Sequence, residues 1–204
     1  MESVSALNLI PGTMANCYDL TLDGKRYLID CGMKGSGKKI ISYYENLNSK
    51  PDVIMVTHYH MDHIGGLKMI KEKFDPIVYV PDGEINVVKG KENMVPTKSL
   101  MSRVISKIIK PKPVEDIHPV SHMVDQNVKV ISTGGHTPDS RSYYFPLINV
   151  IFVGDSAIQG KDGIDVNRTF TLDYSRAMKS IEVIKGLKGV MVYPGHGSPY
   201  QIEK

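Results

Sequence analysis

The sequence predicts one α/β domain over residues 1–204. Apolar, strand-like runs alternate with segments whose apolar residues recur at helical spacing, a pattern typical of a domain with two sheets or one large mixed sheet. A hydrophobic content of 41% lets a chain of this length bury one sizeable core. Several of the strand-like runs end in a glycine-containing turn that carries histidine or aspartate, so we expect functional groups at the strand ends.

In the first half of the chain, the sequence predicts a hairpin followed by alternating helices and strands. Asp23-Gly24 is a strong turn signal between two strand-like runs. Apolar side chains at helical spacing then mark two helices, and an apolar run before His58 marks a buried strand. The predicted elements are strands at 16–20, 25–30, 52–56 and 77–80, and helices at 38–47 and over Leu67, Ile70 and Phe74.

In the second half of the chain, the sequence predicts a helix, three strands, a loop, a second helix and a last strand. Two stretches have weak periodicity, the segment 84–122 and a predicted loop at 157–171. We expect these two stretches to build the substrate pocket, because loops on a rigid scaffold carry binding groups. The predicted elements are helices at 99–109 and 174–185 and strands at 128–131, 142–145, 149–153 and 190–193.

Composition argues against several classes of protein. The 25 basic and 22 acidic residues give a net charge of +3, which is too mild to indicate nucleic-acid binding. The N-terminus lacks the pattern of a signal peptide, and the longest apolar run is too short to span a bilayer. The two cysteines, Cys17 and Cys31, form no CxxC pair and predict buried thiols in a reducing compartment. We therefore expect a cytoplasmic protein with a small-molecule substrate and neither a nucleic-acid nor a membrane partner.

A cluster of metal-ligand side chains follows the strand predicted at 52–56. His58, His60, Asp62 and His63 lie within six residues. Neutral imidazole and carboxylate are ligands that suit zinc, manganese and ferrous iron. The alternative is a polar loop in which Asp62 caps the following helix, and the rarity of histidine favours the metal site.

Three further candidate ligands lie in the same local context later in the chain. His136, Asp155 and His196 each stand just beyond an apolar strand in a glycine-containing turn. Glycine beside a ligand lets the backbone approach a metal or substrate closely. Taken singly, each would more often be a loop residue, but together with the first cluster they predict a shared site. His118 and His122 lack this context, and we expect them to be surface or loop histidines.

These motifs resemble the metallo-β-lactamase superfamily, specifically its glyoxalase II-like branch. Leu28-Ile29-Asp30-Cys31-Gly32 looks like the family's early strand and turn. The family's His-x-His-x-Asp-His motif, downstream His, bridging Asp and last His stand at His58–His63, Gly135-His136-Thr137-Pro138, Gly154-Asp155-Ser156 and Gly195-His196-Gly197. The resemblance implies a four-layer αβ/βα sandwich, with a metal site at the edge between two mixed sheets.

The resemblance also implies a role for each ligand. It implies two divalent metal ions, zinc first, with iron or manganese as alternatives, which share a bridging hydroxide. Asp62 and Asp155 would be the catalytic carboxylates. The first metal would be held by His58, His60 and His136, and the second by Asp62, His63 and His196, with Asp155 bridging the two.

Departures from the family pattern narrow the expected activity. Asp155 stands where classical β-lactam-hydrolysing members carry Cys, so we do not expect β-lactamase activity. His60 stands where flavodiiron members carry Glu. The sequence ends at Lys204, shortly after His196, so we expect it to lack the C-terminal helical domain with which glyoxalase II enzymes hold glutathione.

The motifs favour a metal-dependent hydrolase of an ester-type bond, with thioester or lactone as substrate. Alternatives are a mononuclear iron persulfide dioxygenase-like oxidoreductase and a phosphodiesterase that resembles tRNA 3′-processing enzymes. A metal-binding module without catalysis is the least favoured, because a structural site needs no open position. Five side chains near the ligand loops in sequence could anchor a substrate anion: Arg141, Tyr143, Lys161, Arg168 and Tyr174.

Overall fold

A computed structural model describes residues 6–96, 111–160 and 163–203. The chain divides into two compact units: the first comprises Met1–Glu92 and Pro111–Met123, and the second comprises Asn93–Lys110 and Val124–Lys204. The helix predicted at 99–109 lies outside the described residues. Across the described ranges, no helix has both the length and the apolar character needed to cross a membrane.

The first unit is built on a six-stranded mixed sheet in the order β1-β2-β3-β4-β5-β6. β1, β2 and β3 are antiparallel, whereas β3 to β6 run parallel. Within the described residues, four α-helices accompany the sheet. The elements are β1 (Ala6–Leu9), β2 (Tyr18–Leu22), β3 (Lys25–Ile29), α1 (Ser36–Asn46), β4 (Val53–Met55), α2 (Met61–Ile64), α3 (Leu67–Phe74), β5 (Ile77–Val80), α4 (Ile85–Val88) and β6 (His118–Pro119).

Local sequence explains the middle of this sheet. Asp23 and Gly24 have φ values of 50° and 74°, and this left-handed pair makes the tight turn that joins β2 to β3. The continuous apolar run of β4 is completely buried, as expected of a strand with parallel neighbours on both sides. The carboxyl ends of β3, β4 and β5 therefore lie at one edge of the sheet, where they deliver Asp30 and His58.

The second unit is built on a five-stranded mixed sheet in the order β13-β12-β9-β8-β7, with a separate two-stranded sheet of β10 and β11. β9 and β12 are parallel. Helix α5 buries Ala177, Ile181 and Ile184. The elements are β7 (Lys129–Ser132), β8 (Arg141–Phe145), β9 (Val150–Gly154), β10 (Ile158–Gly160), β11 (Gly163–Asp165), α5 (Tyr174–Lys185), β12 (Met191–Pro194) and β13 (Tyr200–Gln201).

The predicted α/β class with two mixed sheets is confirmed. The hairpin and the other predicted elements within the described residues are present, with ends shifted by a residue or two. The interpretation of 157–171 as a loop was wrong in part, because β10 and β11 form a hairpin there. β6, β10, β11 and β13 have only two or three residues, too few for a period-2 pattern, and none is a continuous apolar run like β4. β1 is also not predicted from the sequence.

The cysteines and the isolated histidines lie where the sequence predicts them. Cys17 and Cys31 are both buried free thiols, and burial raises the pKa of each well above its usual range. Such thiols are poor nucleophiles. His118 and His122 are exposed. Among the described residues, none of the groups of side chains that could hold a metal includes any of these four.

Candidate metal centre

The first unit brings together the four side chains of the His58–His63 motif. His58 is fully buried, and its Nε2 lies 3.1 Å from Nδ1 of His60. The ring centroids of His58 and His63 are 4.1 Å apart, and Nε2 of His63 lies 3.8 Å from Oδ2 of Asp62. His60, not Asp62, occupies the N-cap position of α2. Asp62 lies in the first turn, so the capping interpretation of this carboxylate was wrong.

Asp30 positions part of this cluster through hydrogen bonds, although the sequence indicates only that it belongs to an early strand and turn. Asp30 is buried and follows β3 in a left-handed conformation with φ of 59°. Its carboxylate accepts hydrogen bonds from the backbone N–H and the hydroxyl of Thr57, both at 2.8 Å. The same carboxylate lies 2.7 Å from Nδ1 of His63. The buried Asp30 side chain therefore contacts both Thr57, just after β4, and the candidate ligand His63.

These contacts also set the tautomers of two histidines. The Thr57 hydroxyl has one hydrogen, which it donates to Asp30, so at 3.0 Å it accepts from Nδ1 of His58. Nδ1 of His63 likewise donates to the Asp30 carboxylate. In its neutral form each imidazole then carries a lone pair on Nε2, the form that ligates metals. Support of this kind orients ligands and raises their basicity.

Glu84 holds the loop between His58 and His60. It ends the short turn after β5 and is fully buried. Its Oε2 accepts a hydrogen bond from the backbone N–H of Tyr59 at 2.6 Å. A carboxylate that accepts from a backbone N–H makes a charge-assisted bond, stronger than a neutral one. Glu84 therefore fixes the backbone from which two candidate ligands project.

Glu84→Ala is expected to weaken metal binding about tenfold, a typical loss for a residue that positions ligands. Glu84→Gln, which keeps a hydrogen-bond acceptor, is expected to lose less. The measurement is metal affinity in competition with a chromogenic chelator, with thermal unfolding followed in parallel. Glu92→Ala, which removes an exposed carboxylate of the same unit, is the control. Wild-type metal affinity in folded Glu84→Ala would contradict this role.

The second unit brings together the other three candidate ligands. Oδ2 of Asp155 lies 3.5 Å from Nε2 of His136 and 3.6 Å from Nε2 of His196. The His136 side chain is almost completely buried, whereas that of His196 is 45% exposed. One carboxylate oxygen thus lies close to two imidazole nitrogens, and carboxylate and imidazole are both ligands that suit divalent metals.

Hydrogen bonds between the three ligand loops hold this arrangement. The Ser156 hydroxyl donates to the carbonyl of Thr133 at 3.1 Å, which joins the Asp155 loop to the His136 loop. The backbone N–H of Gly195 donates to the carbonyl of Gly154 at 2.7 Å, which joins the His196 loop to the Asp155 loop. Gly154 has φ of 53°, where glycine is favoured.

The N-terminal end of α5 packs directly on the His136 loop. The backbone N–H groups of Leu172 and Asp173 donate to the carbonyls of His136 and Gly135 at 3.2 and 2.8 Å. A Cβ on Gly135 would lie only 2.4 Å from the backbone nitrogen of Ala177. Glycine at position 135 is therefore required for the close approach of helix and loop.

The five candidate anion anchors fall into different environments. Tyr143 is fully buried in β8 and therefore does not face solvent. Arg141 is partly buried and forms an ion pair with the neighbouring aspartate at 2.7 Å. Lys161 lies outside the described residues. Arg168 and Tyr174 are exposed and contact each other, so they are the accessible pair.

Comparison with known proteins identifies the family. The model of the metallo-beta-lactamase superfamily matches residues 10–196. The probable metallo-hydrolase YqgX of Bacillus subtilis (strain 168) is 32% identical over 158 residues, which cover 73% of this chain and 69% of that protein. Hydroxyacylglutathione hydrolase of Brucella ovis is 30% identical over 146 residues, 71% of this chain and 48% of that protein. The chain thus spans about half the length of that second relative.

Solved structures share the fold over nearly the whole chain. TTHA1623 in a di-iron-bound form aligns with a TM-score of 0.75 at 22% identity, covering 97% of this chain and 94% of that one. The BLEG-1 B3 metallo-beta-lactamase aligns with a TM-score of 0.73 at 25% identity, covering 98% and 94%. The predicted resemblance is confirmed: the chain has the metallo-β-lactamase fold and belongs to the metallo-beta-lactamase superfamily, as one of its metal-dependent hydrolases.

Proposed function

We propose that the protein is a dinuclear metal-dependent hydrolase that cleaves an ester-type bond, with a thioester or a lactone as substrate. The superfamily binds divalent metals, often two. The observation that carries the proposal is the donor set. Each unit holds its share of the predicted ligands close together, as imidazole and carboxylate groups that suit divalent zinc, iron or manganese.

The proposed ligand assignment divides the donors into two sets with a shared carboxylate. Every member offers an imidazole nitrogen or a carboxylate oxygen as a ligand atom. Zinc is the metal we propose first. When bound, two such ions would provide hydroxide near neutral pH and polarise the substrate carbonyl. The first set is His58, His60 and His136, and the second is Asp62, His63 and His196, with Asp155 bridging.

The protein groups divide into those that orient ligands and those that face solvent. Asp30 and Thr57 hold two buried imidazoles in the tautomer that leaves Nε2 available. The side chains of Asp62 and Asp155 are 30% and 15% exposed, so a substrate can approach them. We propose that Asp62 orients the attacking water as well as ligating, and that Asp155 bridges the metals. No serine, cysteine or lysine nucleophile is required.

An ester-type carbonyl is favoured by the relatives as well as by the donor set. One relative is named hydroxyacylglutathione hydrolase, and an acylglutathione is a thioester. Thioesters and lactones both present an activated carbonyl that one attacking hydroxide can cleave. Glutathione itself is not part of the proposal, because the match covers only 48% of that relative.

The test combines metal counting with a substrate panel. Purified protein is expected to contain two metals per chain by elemental analysis and, after reconstitution, to hydrolyse acyl thioesters or lactones. Metal-loaded protein that hydrolyses neither class would overturn the proposal. One iron per chain with oxygen consumption on glutathione persulfide would instead identify the dioxygenase alternative. A β-lactam is included in the panel because the BLEG-1 structure is that of a B3 metallo-beta-lactamase.

A further inference from the structure

Three exposed side chains lie within a span of seven residues after the β10–β11 hairpin. They are Arg168, Phe170 and Tyr174, here named the recognition cluster. Nη2 of Arg168 donates to the Tyr174 hydroxyl at 2.6 Å. The guanidinium carbon lies 4.5 Å from the centroid of the Tyr174 ring, within the range of a cation–π contact. Phe170 is 57% exposed. Arg168 and Tyr174 thus form an exposed cation–aromatic pair, and the exposed ring of Phe170 lies two residues after Arg168 in the chain.

The turn that carries the cluster is built by Asn167. Its side-chain oxygen accepts from the N–H of Thr169 at 3.2 Å, an Asx-type contact. Its backbone carbonyl accepts from the N–H of Phe170 at 3.2 Å and from the hydroxyl of Thr171 at 2.7 Å. The exposed phenylalanine is therefore presented by a hydrogen-bonded turn.

This turn lies next to a proposed metal ligand in the second unit. Leu172, at the end of the same segment, donates its backbone N–H to the carbonyl of His136 at 3.2 Å. The span from Arg168 to Leu172 covers at most about 14 Å of extended chain. The recognition cluster is therefore joined to the His136 loop by a short segment of backbone within the same unit.

We propose that the recognition cluster is a substrate subsite for acyl esters that carry an anionic group, carboxylate or phosphate, next to an apolar portion. The Arg168 guanidinium lies over the Tyr174 ring, and the planar fork has N–H groups beyond the one that donates to the Tyr174 hydroxyl, which suit the bidentate geometry of a carboxylate or phosphate. A guanidinium held by an aromatic ring loses less side-chain freedom when it binds. Phe170 offers its ring to the apolar portion. This inference rests on the proposed hydrolase function.

The experiment compares three thioesters that share one acyl group and differ in the thiol. The thiols are 3-mercaptopropionate, 2-mercaptoethyl phosphate and neutral 2-mercaptoethanol. The reconstituted enzyme is expected to favour a charged thioester in kcat/KM by about tenfold, the worth of one charged hydrogen bond at a partly exposed site. Arg168→Ala is expected to bring that ratio close to one through KM, and Arg168→Lys to retain part of it. The two charged probes distinguish a carboxylate from a phosphate.

A matched control distinguishes recognition by Arg168 from a general effect of positive charge on the protein surface. Lys179→Ala removes an exposed cation from α5 and is expected to leave the ratio unchanged. Thermal unfolding and metal content of Arg168→Ala identify a merely structural role. A wild-type enzyme without preference, a ratio that survives Arg168→Ala, or an equal loss on all three thioesters would overturn the subsite.

A binding measurement keeps the subsite testable if hydrolysis fails. Thioether analogues of the same three compounds cannot be hydrolysed, and calorimetry gives their affinities directly. The charged analogues are expected to bind about tenfold more tightly than the neutral one, and Arg168→Ala is expected to remove the difference. Hydrolysis absent with this difference present overturns the hydrolase proposal alone. Equal affinities overturn the subsite.

Discussion

His58→Ala is expected to lower kcat/KM by at least about a thousandfold, because a lost metal ligand removes several kcal/mol of transition-state stabilisation. His58 is fully buried, its Nδ1 contacts Thr57, and its Nε2 lies 3.1 Å from His60. Alanine removes an imidazole from the proposed first metal and leaves the surrounding polar groups around a small cavity. Loss of metal is therefore expected together with loss of hydrolysis.

The measurement pairs metal content per chain with turnover of the best thioester or lactone. Asp155→Ala is expected to behave like His58→Ala, because the proposed bridging carboxylate lies close to one member of each proposed set, His136 and His196. His118→Ala is the matched control, since His118 is an exposed histidine of the first unit with a side chain 46% exposed. Turnover that survives His58→Ala or Asp155→Ala with unaltered metal content would refute the ligand assignment.

Gly135→Ala is expected to lower the free energy of unfolding by about 3 kcal/mol, through backbone strain and overpacking together. Gly135 has φ of 139°, which disfavours any residue with a Cβ. The added methyl would lie 2.4 Å from the nitrogen and 2.5 Å from the Cα of Ala177. These are backbone atoms of α5, so the helix or the His136 loop must move.

Denaturant unfolding measures this cost, and a second glycine provides the control. Gly163 has φ of 111°, and a Cβ there would meet nothing within 4 Å. Gly163→Ala should therefore cost only the conformational part, about 1 kcal/mol. Equal and small losses in the two variants would show that the helix does not constrain the loop.

Local signals account for the parts of the fold that the sequence predicts well. Asp23-Gly24 defines the β2–β3 hairpin, because both residues must adopt positive φ. The helix predicted at 174–185 coincides with α5, since Asp173 caps it and accepts from the N–H of Arg176 and its apolar face has a regular period. These features depend on neighbours in sequence, so the sequence suffices.

Parallel strand pairing accounts for what the sequence misses at the site. Asp30 contacts Thr57, 27 positions away, and Glu84 contacts Tyr59, 25 positions away, because β3, β4 and β5 end at one edge. Asp30 does share the context of the ligands, a polar residue between an apolar strand and a glycine, and that signal could have identified it. Glu84 has no such signal, because the neighbouring residues in the sequence do not show whether a glutamate is buried or solvated.

Exposure to solvent distinguishes which of the candidate anion-binding residues can contact a substrate. Sequence proximity to the ligand loops treats Arg141, Tyr143, Arg168 and Tyr174 alike. Arg141 and Tyr143 lie two residues apart and therefore on the same face of β8, so the burial of Tyr143 and the ion pair of Arg141 depend on the neighbours of each side chain. The sequence therefore predicts the type of chemistry, and the environment of each side chain decides which groups meet a substrate.

The His136 loop is hydrogen-bonded to the first turn of α5, so the stability of that turn bears on a proposed metal ligand. Asp173 donates to the carbonyl of Gly135 with its N–H and accepts from the N–H of Arg176 with its side chain. Native proteins open in small cooperative segments with their own free energies. Fraying of this first turn would break the loop's hydrogen bonds in the same event. Hydrogen exchange at Asp173 and Ala177 is therefore expected to report the opening of that turn, and with it the loss of two hydrogen bonds that hold the His136 loop.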